Sequence, residues 1–561
     1  MKANEKICDV LIEAGIDFVF GIPGGGTIPV WDALFDRQDR IRTILTRHEQ
    51  AAACMADLHG RMTGKPAVLM GQGGFIATSG GFGIVEAFLS NSPMLILTDA
   101  SDAGFSQHGN YQSGTGEYGS WDIVNILRSM CKYTTYAVTP NEAVYGVQLA
   151  IKHATTGNPG PCAVVWQSGA ITAEVDAARP PRLYATPGYL AKPRTAPLAG
   201  DIEDASLLLL QAERPVIIAG NGVHLARAYE ELQRLAEFTG APVATSSTGK
   251  SAFPEVHPLA AGMMGIFGQS TANKVIADAD VLLVAGCRLS PNDTGQERLI
   301  DPLHQKIIQV DIEPRNTGWN FPVQAGLNGD LKIVLSQMLV AMKGMEGQND
   351  ARVKERIERL GKIKSKESFF EAAELHSDAS PLLPQRIVSE IEKAVSPETI
   401  ITLDAGNNRL WMCHFFRSKA AGTIFFPGGL AGMGWSPAAA LAAKLLHPGR
   451  PVLSVSSDGG FAMMTHVLST ALQYQLPVAF LVMNNSGLGM VHDGQKGRYI
   501  ATEFIPTDFA RIARAFGCRG VRVEKAAALG GVIKEALTAK VPTVIDVITS
   551  LEESHLKIAN W

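Results

Sequence analysis

Several things are scarce in this chain, and each scarcity narrows what it can be. Its seven cysteines, Cys8, Cys54, Cys131, Cys162, Cys287, Cys413 and Cys518, are scattered and odd in number, and none forms a Cys-x-x-Cys pair. They offer no disulfide framework and read as buried thiols of a reducing cytoplasm. No run of about 18 apolar residues occurs, so no spanning helix is expected. Neither sign of charge dominates: 50 Lys and Arg stand against 54 Asp and Glu, for a net charge of −4. With no basic stripe and no Lys/Arg block, neither nucleic acid nor an anionic membrane is an expected partner. The opening MKANEKICDVLIEAG alternates charged and apolar residues as an amphipathic helix does, and it lacks the apolar core of a signal peptide. What is present is a globular balance, 46% hydrophobic and 19% charged, over 561 residues. That length suggests about three or four domains.

Short apolar runs alternate with amphipathic stretches almost throughout. Among them are AVLM (67–70), MLILTD (94–99), CAVVW (162–166), PVIIAG (215–220), VLLVAG (281–286), KIIQVDI (306–312), TIITL (399–403), VLSVSSDG (452–459), PVAFLVMNN (477–485) and PTVIDVI (542–548). Buried parallel strands read this way, and their alternation with helices predicts an α/β fold of doubly wound parallel sheets. Two stretches break the pattern. Residues 176–199 are rich in Pro and Ala without an apolar period and read as a linker. Residues 343–380 are charged and helix-prone and read as an exposed connecting helix with flexible flanks. Three domains follow, at about 1–175, 195–340 and 375–561. The first and third have similar size and texture.

The most informative stretch is SDGGFAMMTHVLSTALQYQLPVAFLVMNNSGLGMV. One strand ends at Asp458, Gly459 and Gly460 follow, and a second strand ends 27 positions later at Asn485. Parallel strands present ligands beyond their carboxyl ends, so both residues can face one crevice. A diphosphate is a dense anion, and the Mg²⁺ that bridges its oxygens takes hard oxygen ligands in near-octahedral geometry. A carboxylate, an amide oxygen and a main-chain carbonyl suit that shell. The two glycines let the backbone approach phosphates, and the helix N-terminus behind them favours negative charge. Asp-Gly-Gly alone is an ordinary turn; with Asn-Asn at this spacing after the next strand it is far more specific.

These residues resemble the acetohydroxyacid synthase / pyruvate decarboxylase superfamily of thiamine-diphosphate enzymes, whose signature is Gly-Asp-Gly, a spacer and Asn-Asn, and the acetolactate synthase branch most. The resemblance extends over nearly the whole chain, including GMMGIFGQSTANKVIADADVLLVAGCRL and KIIQVDIEPRNTGWNFPVQAGLNGD. It implies pyrimidine-binding, central and diphosphate-binding domains, with thiamine diphosphate and Mg²⁺ as cofactors. By it the metal ligands are Asp458, the Asn485 side chain and the Gly487 carbonyl, and Gly459, Gly460, Leu488, Gly489 and Met490 also line the cofactor. Ser457 replaces the first Gly of the signature. Gly406, Asn407 and Asn408 match the diphosphate-contacting turn. Met433 matches the residue that props the cofactor into a bent shape, while the Ala431 carbonyl and Met433 amide hold the pyrimidine ring. Glu49, in Arg47-His48-Glu49, matches the carboxylate that protonates that ring; a lone Glu at a helix start is ordinarily only a favourable charge on the dipole. In such enzymes these two surfaces meet across a subunit interface, which implies a homodimer or homotetramer.

Three loops are expected to face the substrate. GIPGGGTIPVWDAL (21–34) supplies Gly24 and Gly25. MGQGGFIATSGG (70–81) carries Phe75 where acetolactate synthases show Pro. SQHGNYQSGTGEYGSWD (106–122) offers His108 and Gln112, and lacks the adjacent histidines of pyruvate decarboxylases. Further on, Gly494 stands in place of the Trp that guides the second 2-oxo acid, and His492 is a candidate proton donor. In the central domain, Gly220-x-Gly222 after a strand is weak evidence for a nucleotide. Relatives carry FAD, ADP or nothing there. The expected function is carboligation after decarboxylation of a 2-oxo acid, acting on small carbonyl compounds. A decarboxylase or acyloin lyase of bulkier substrates is the alternative. A catalytically inactive paralogue is disfavoured by intact Glu49, Asp458 and Asn485.

Overall fold

The computed structural model describes residues 1–101, 111–190, 195–345 and 348–560. The chain divides into two compact units, Met1–Pro193 with Pro427–Pro448 and Met464–Leu476, and Arg194–Phe426 with Gly449–Met463 and Pro477–Trp561. The architecture is α/β, with three six-stranded sheets in which every pairing is parallel.

The first unit holds β1 (Phe18–Ile22), β2 (Arg42–Leu45), β3 (Ala67–Gly71), β4 (Met94–Asp99), β5 (Tyr133–Ala137) and β6 (Pro161–Trp166), in the order β2-β1-β3-β4-β6-β5. β3, β4 and β6 are buried along their whole length, which is why each reads as an unbroken apolar run. The helix Glu49–Thr63 is buried from Ala51 to Arg61 and packs on the helix Trp435–Leu446. Both are built largely of alanine and other small residues, which permits that close approach.

In the second unit the central sheet contains β7 (Pro215–Ala219), β8 (Val243–Thr245), β9 (Ala260–Met263), β10 (Val281–Ala285), β11 (Lys306–Asp311) and β12 (Ala325–Asn328). Its order, β12-β11-β10-β7-β8-β9, is the dinucleotide-fold order. Gly220 and Gly222 are accounted for by packing: a Cβ on either would lie 2.3 Å from the Gly286 carbonyl oxygen or 2.6 Å from the Gly286 Cα. The last sheet contains β13 (Ile400–Leu403), β14 (Ile424–Phe425), β15 (Val452–Ser457), β16 (Ala479–Asn484), β17 (Arg519–Val523) and β18 (Thr543–Ile548), in the order β14-β13-β15-β16-β18-β17. It repeats the topology of the first sheet, which accounts for the similar texture of the two ends of the sequence.

The charged stretch forms the helix Asp350–Lys366, but it is not wholly exposed: Leu360 is buried, and the Arg356 guanidinium donates to the carbonyls of Thr239 and Ala212. Lys250 lies in a buried ion pair with Glu255 at 2.8 Å and donates to the Phe416 carbonyl at 2.9 Å. All seven cysteines are buried, and none is joined in a disulfide. Among the described residues no helix is long and apolar enough to cross a membrane.

Candidate active site

In the last sheet, strands β13 and β15 are neighbours whose following segments leave in different directions, the arrangement that opens a crevice at the carboxyl ends of strands. Gly406 follows β13, Asp458 follows β15 and Asn485 follows β16. Asp458 is 3% exposed and begins a short helix. Its carboxylate accepts the Gly459 N–H at 2.8 Å and the Gly487 N–H at 3.2 Å. Burial pushes its carboxyl up to about 6, against the opposing pull of those amides. A cation beside it would favour the ionised form. Asn485 Oδ1 accepts the same Gly487 N–H at 3.2 Å, so the carboxylate and the amide oxygen meet at one N–H group. Asn484 faces the other way, donating to Asp546 at 2.8 Å and to the Thr507 carbonyl at 2.9 Å. It is the structural member of the Asn pair.

Gly406 has a φ of +108°, a conformation open to glycine, and turns the chain into the helix Asn407–Phe415. Asn408 donates to the carbonyls of Asp404 and Val455, tying β13 to β15. A Cβ on Gly489 would lie 2.7 Å from Asn407 Nδ2 and 3.2 Å from Asn485 Nδ2. Two amide donors thus face a space kept clear by a missing side chain. The buried Oδ1 atoms of Asn407 and Asn408 have no partner among the described residues.

Three comparisons of domains bear on this crevice. Residues 1–118, 202–338 and 404–547 match the N-terminal TPP binding domain, the central domain and the C-terminal TPP binding domain of thiamine pyrophosphate enzymes. The chain is 35% identical to the "Probable acetolactate synthase large subunit" of Methanocaldococcus jannaschii, over 99% of this chain and 93% of the relative. It is 32% identical to the acetolactate synthase large subunit of Corynebacterium glutamicum, over 98% and 87%. The chain belongs to the thiamine pyrophosphate enzymes. Its cofactors are thiamine diphosphate and Mg²⁺, and the crevice fits them: a buried carboxylate beside the Asn485 amide oxygen suits the cation, and amide donors with a small-residue cradle suit the diphosphate.

Other residues expected at a thiamine pyrophosphate site lie in the first unit. Glu49 is the first residue of the helix Glu49–Thr63 and is half-buried. His48 caps that helix, its Nδ1 accepting the Gln50 N–H at 3.1 Å. The His48 ring lies 5.6 Å from that of His466, whose imidazole burial pushes down to about 4. Ala431 has a φ of +56°, and Met433 is half-buried just before the helix Trp435–Leu446.

Two of the loops expected to face substrate, those after β1 and β3, meet at a residue that the sequence did not single out. Asp99, at the end of β4, is fully buried and accepts N–H groups from Gly26 (3.0 Å), Gly73 (3.2 Å) and Ser101 (3.0 Å). These belong to the segments after β1, β3 and β4. Burial pushes its carboxyl up, against those amides. Gln72 donates to Gln112 at 2.6 Å, and Gln112 is exposed with a φ of +67°. Phe75 is 41% exposed on the short helix Gly73–Thr78. His108 lies outside the described residues. His492 is buried, its ring stacked on Tyr499 at 3.6 Å. A Cβ on Gly494 would meet nothing within 4 Å. Met490, on the same helix as His492 and Gly494, is partly exposed, and Leu488 N donates to the Thr502 carbonyl at 2.7 Å.

Proposed function

We propose that this thiamine pyrophosphate enzyme is a carboligase of the acetolactate synthase type: it decarboxylates a 2-oxo acid and joins the remaining carbons to a second carbonyl compound. The observation that carries this reading is the likeness to acetolactate synthase large subunits over nearly the whole chain, joined to the Asp458–Asn485 crevice.

Thiamine diphosphate, when bound, supplies the carbon nucleophile and the electron sink for decarboxylation. The chain's residues supply position and charge. Asp458, Asn485 Oδ1 and the Gly487 carbonyl would hold Mg²⁺, which neutralises the diphosphate. Gly406, Asn407, Asn408, Gly459, Gly460, Leu488, Gly489 and Met490 would line the phosphate and ring ends. The Ala431 carbonyl and the Met433 amide would hold the aminopyrimidine, with the Met433 side chain beneath it. Glu49 would hold a proton at its carboxyl oxygen against the pyrimidine nitrogen. Gln112, His108 and His492 are the candidates for proton transfer to substrate, and Gly24, Gly25, Phe75 and Gly494 for the pocket wall. With Glu49 and the metal ligands drawn from different subunits, the working form is a homodimer or homotetramer. The cytoplasm is the compartment that suits seven buried cysteines with no disulfide among them.

One observation favours a second reading. The open space at Gly494, where acetolactate synthases carry Trp, suits a bulkier acceptor, or decarboxylation or acyloin cleavage of a larger substrate. Purified protein incubated with Mg²⁺, thiamine diphosphate and a panel of 2-oxo acids and aldehydes tests both. Acetolactate from pyruvate alone supports carboligation of the first kind. Free aldehyde from larger oxo acids, or cleavage of acyloins, overturns it in favour of the second.

A further inference from the structure

The segment between β14 and the helix Trp435–Leu446 carries Ala431 and Met433, yet it has neither helix nor strand of its own. Its backbone N–H groups converge on one carboxylate. Glu86 Oε1 accepts from Gly428 and Gly429 at 3.0 Å each, and Oε2 accepts from Leu430 at 2.8 Å and Ala431 at 2.9 Å. Oε1 also accepts from Ser90 Oγ and Arg61 Nη2, both at 2.7 Å. Arg61 is held in turn by Asp57, through Nε at 3.0 Å and Nη2 at 2.7 Å, and Asp57 accepts the Trp435 indole N–H at 2.7 Å. Both ends of the segment are therefore bonded to one cluster. Asp57 and Glu86 are fully buried, so these bonds act where water does not compete.

Two features show that the segment is held in place. Ala431 sits at a φ of +56°, where an L side chain is strained, and such a residue persists only when its surroundings hold it. The neighbouring Gly432 is pressed so closely on the helix Gly81–Leu89 that a Cβ there would lie 2.1 Å from the Phe82 ring. Four successive amides on a carboxylate form an anion nest turned inward. The cluster also has a second reach. Asp57 and Arg61 lie on the helix that opens with Glu49, so it ties that helix to the segment carrying Met433.

We propose that Glu86 is a positioning residue of the active site, holding the Ala431 carbonyl and Met433 in the geometry that receives the aminopyrimidine. This rests on the assignment of Ala431 and Met433 to that ring. A carboxylate that served folding alone could be met by any donors. This one is met by the amides that set the direction of the proposed ligand carbonyl.

Amide hydrogen exchange and calorimetric titration with thiamine diphosphate in excess Mg²⁺ test the proposal. Glu86→Gln should expose residues 428–431 to exchange and weaken cofactor affinity about tenfold or more. Adding Ala431→Gly, which adopts positive φ without strain, should recover several-fold of that affinity. Should Glu86→Gln not fold, Glu86→Asp keeps the charge beside Arg61, shortens its reach and carries the same test. Wild-type affinity and exchange in the Glu86 variant would overturn the proposal. So would a loss that Ala431→Gly cannot relieve, since it would make Glu86 a stabilising residue only. Wild-type protein that binds no cofactor would instead refute the functional reading on which the proposal stands.

Discussion

Ser457 stands where the resembling signature has glycine, and its hydroxyl accepts the Gly460 N–H at 3.3 Å as the cap of the helix that Asp458 opens. The substitution thus supplies a helix cap and leaves Asp458 free to face Gly487. In the first unit, where Glu49 is proposed to face the pyrimidine nitrogen, Glu49→Gln removes the ionisable proton but keeps the shape. We expect it to retain cofactor affinity in calorimetry and lose most turnover; near wild-type rates would sink its role. Two histidines, His59 fully and His414 partly covered, set a stability dependence. Burial holds the rings of His59 and His414 down to about 4, against an ordinary value near 6.5. The unfolded chain takes up these protons between pH 6.5 and 4 while the fold does not. Their neutral burial is therefore harmless above that window, and stability is lost as pH falls through it, by about 1.4 kcal/mol per pH unit for each group. Denaturation of wild type and His59→Asn across pH 7 to 4.5 checks this: the variant should lose stability less steeply, and parallel curves would contradict it.

At the scale of elements, the buried strands were legible because a strand covered on both faces must be apolar throughout. β3, β4, β6, β7, β10, β11, β15, β16 and β18 all stand where such runs were read. The edge strands β5 and β17 were not, since YTTYA and RGVRV are half-exposed and alternate like loops or helix faces. The placement of Asp458, Asn485 and Gly406 at strand ends was legible because each lies within a short strand-end motif. Asp99 and Glu86 were not, because their partners are backbone amides, which have no sequence signature, and lie far along the chain. Asp99 carries a prediction of its own. Asp99→Ala leaves the N–H groups of Gly26, Gly73 and Ser101 without their acceptor, at a cost of about 1–3 kcal/mol. With those loops loosened, KM for the oxo acid should rise while cofactor affinity stays as in the wild type. An unchanged KM would separate these loops from the substrate.

At the scale of the whole molecule, two sheets of identical strand order carry the two halves of the proposed site, and the subunit interface is where they are proposed to meet. Co-expression of Glu49→Gln and Asp458→Ala chains tests that arrangement. In a mixed dimer one site would collect both defects and the other neither, so about a quarter of wild-type activity should return on random pairing. A mixture as inactive as either parent would place both residues in one chain's site. The central claim, however, is that Asp458 and its neighbours hold the metal and diphosphate. Calorimetric titration of wild type and Asp458→Ala with thiamine diphosphate, with and without Mg²⁺, tests it most directly. The account predicts tight, Mg²⁺-dependent binding to the wild type and a large loss of affinity in the variant. Equal binding to both proteins, or binding indifferent to Mg²⁺, would contradict it.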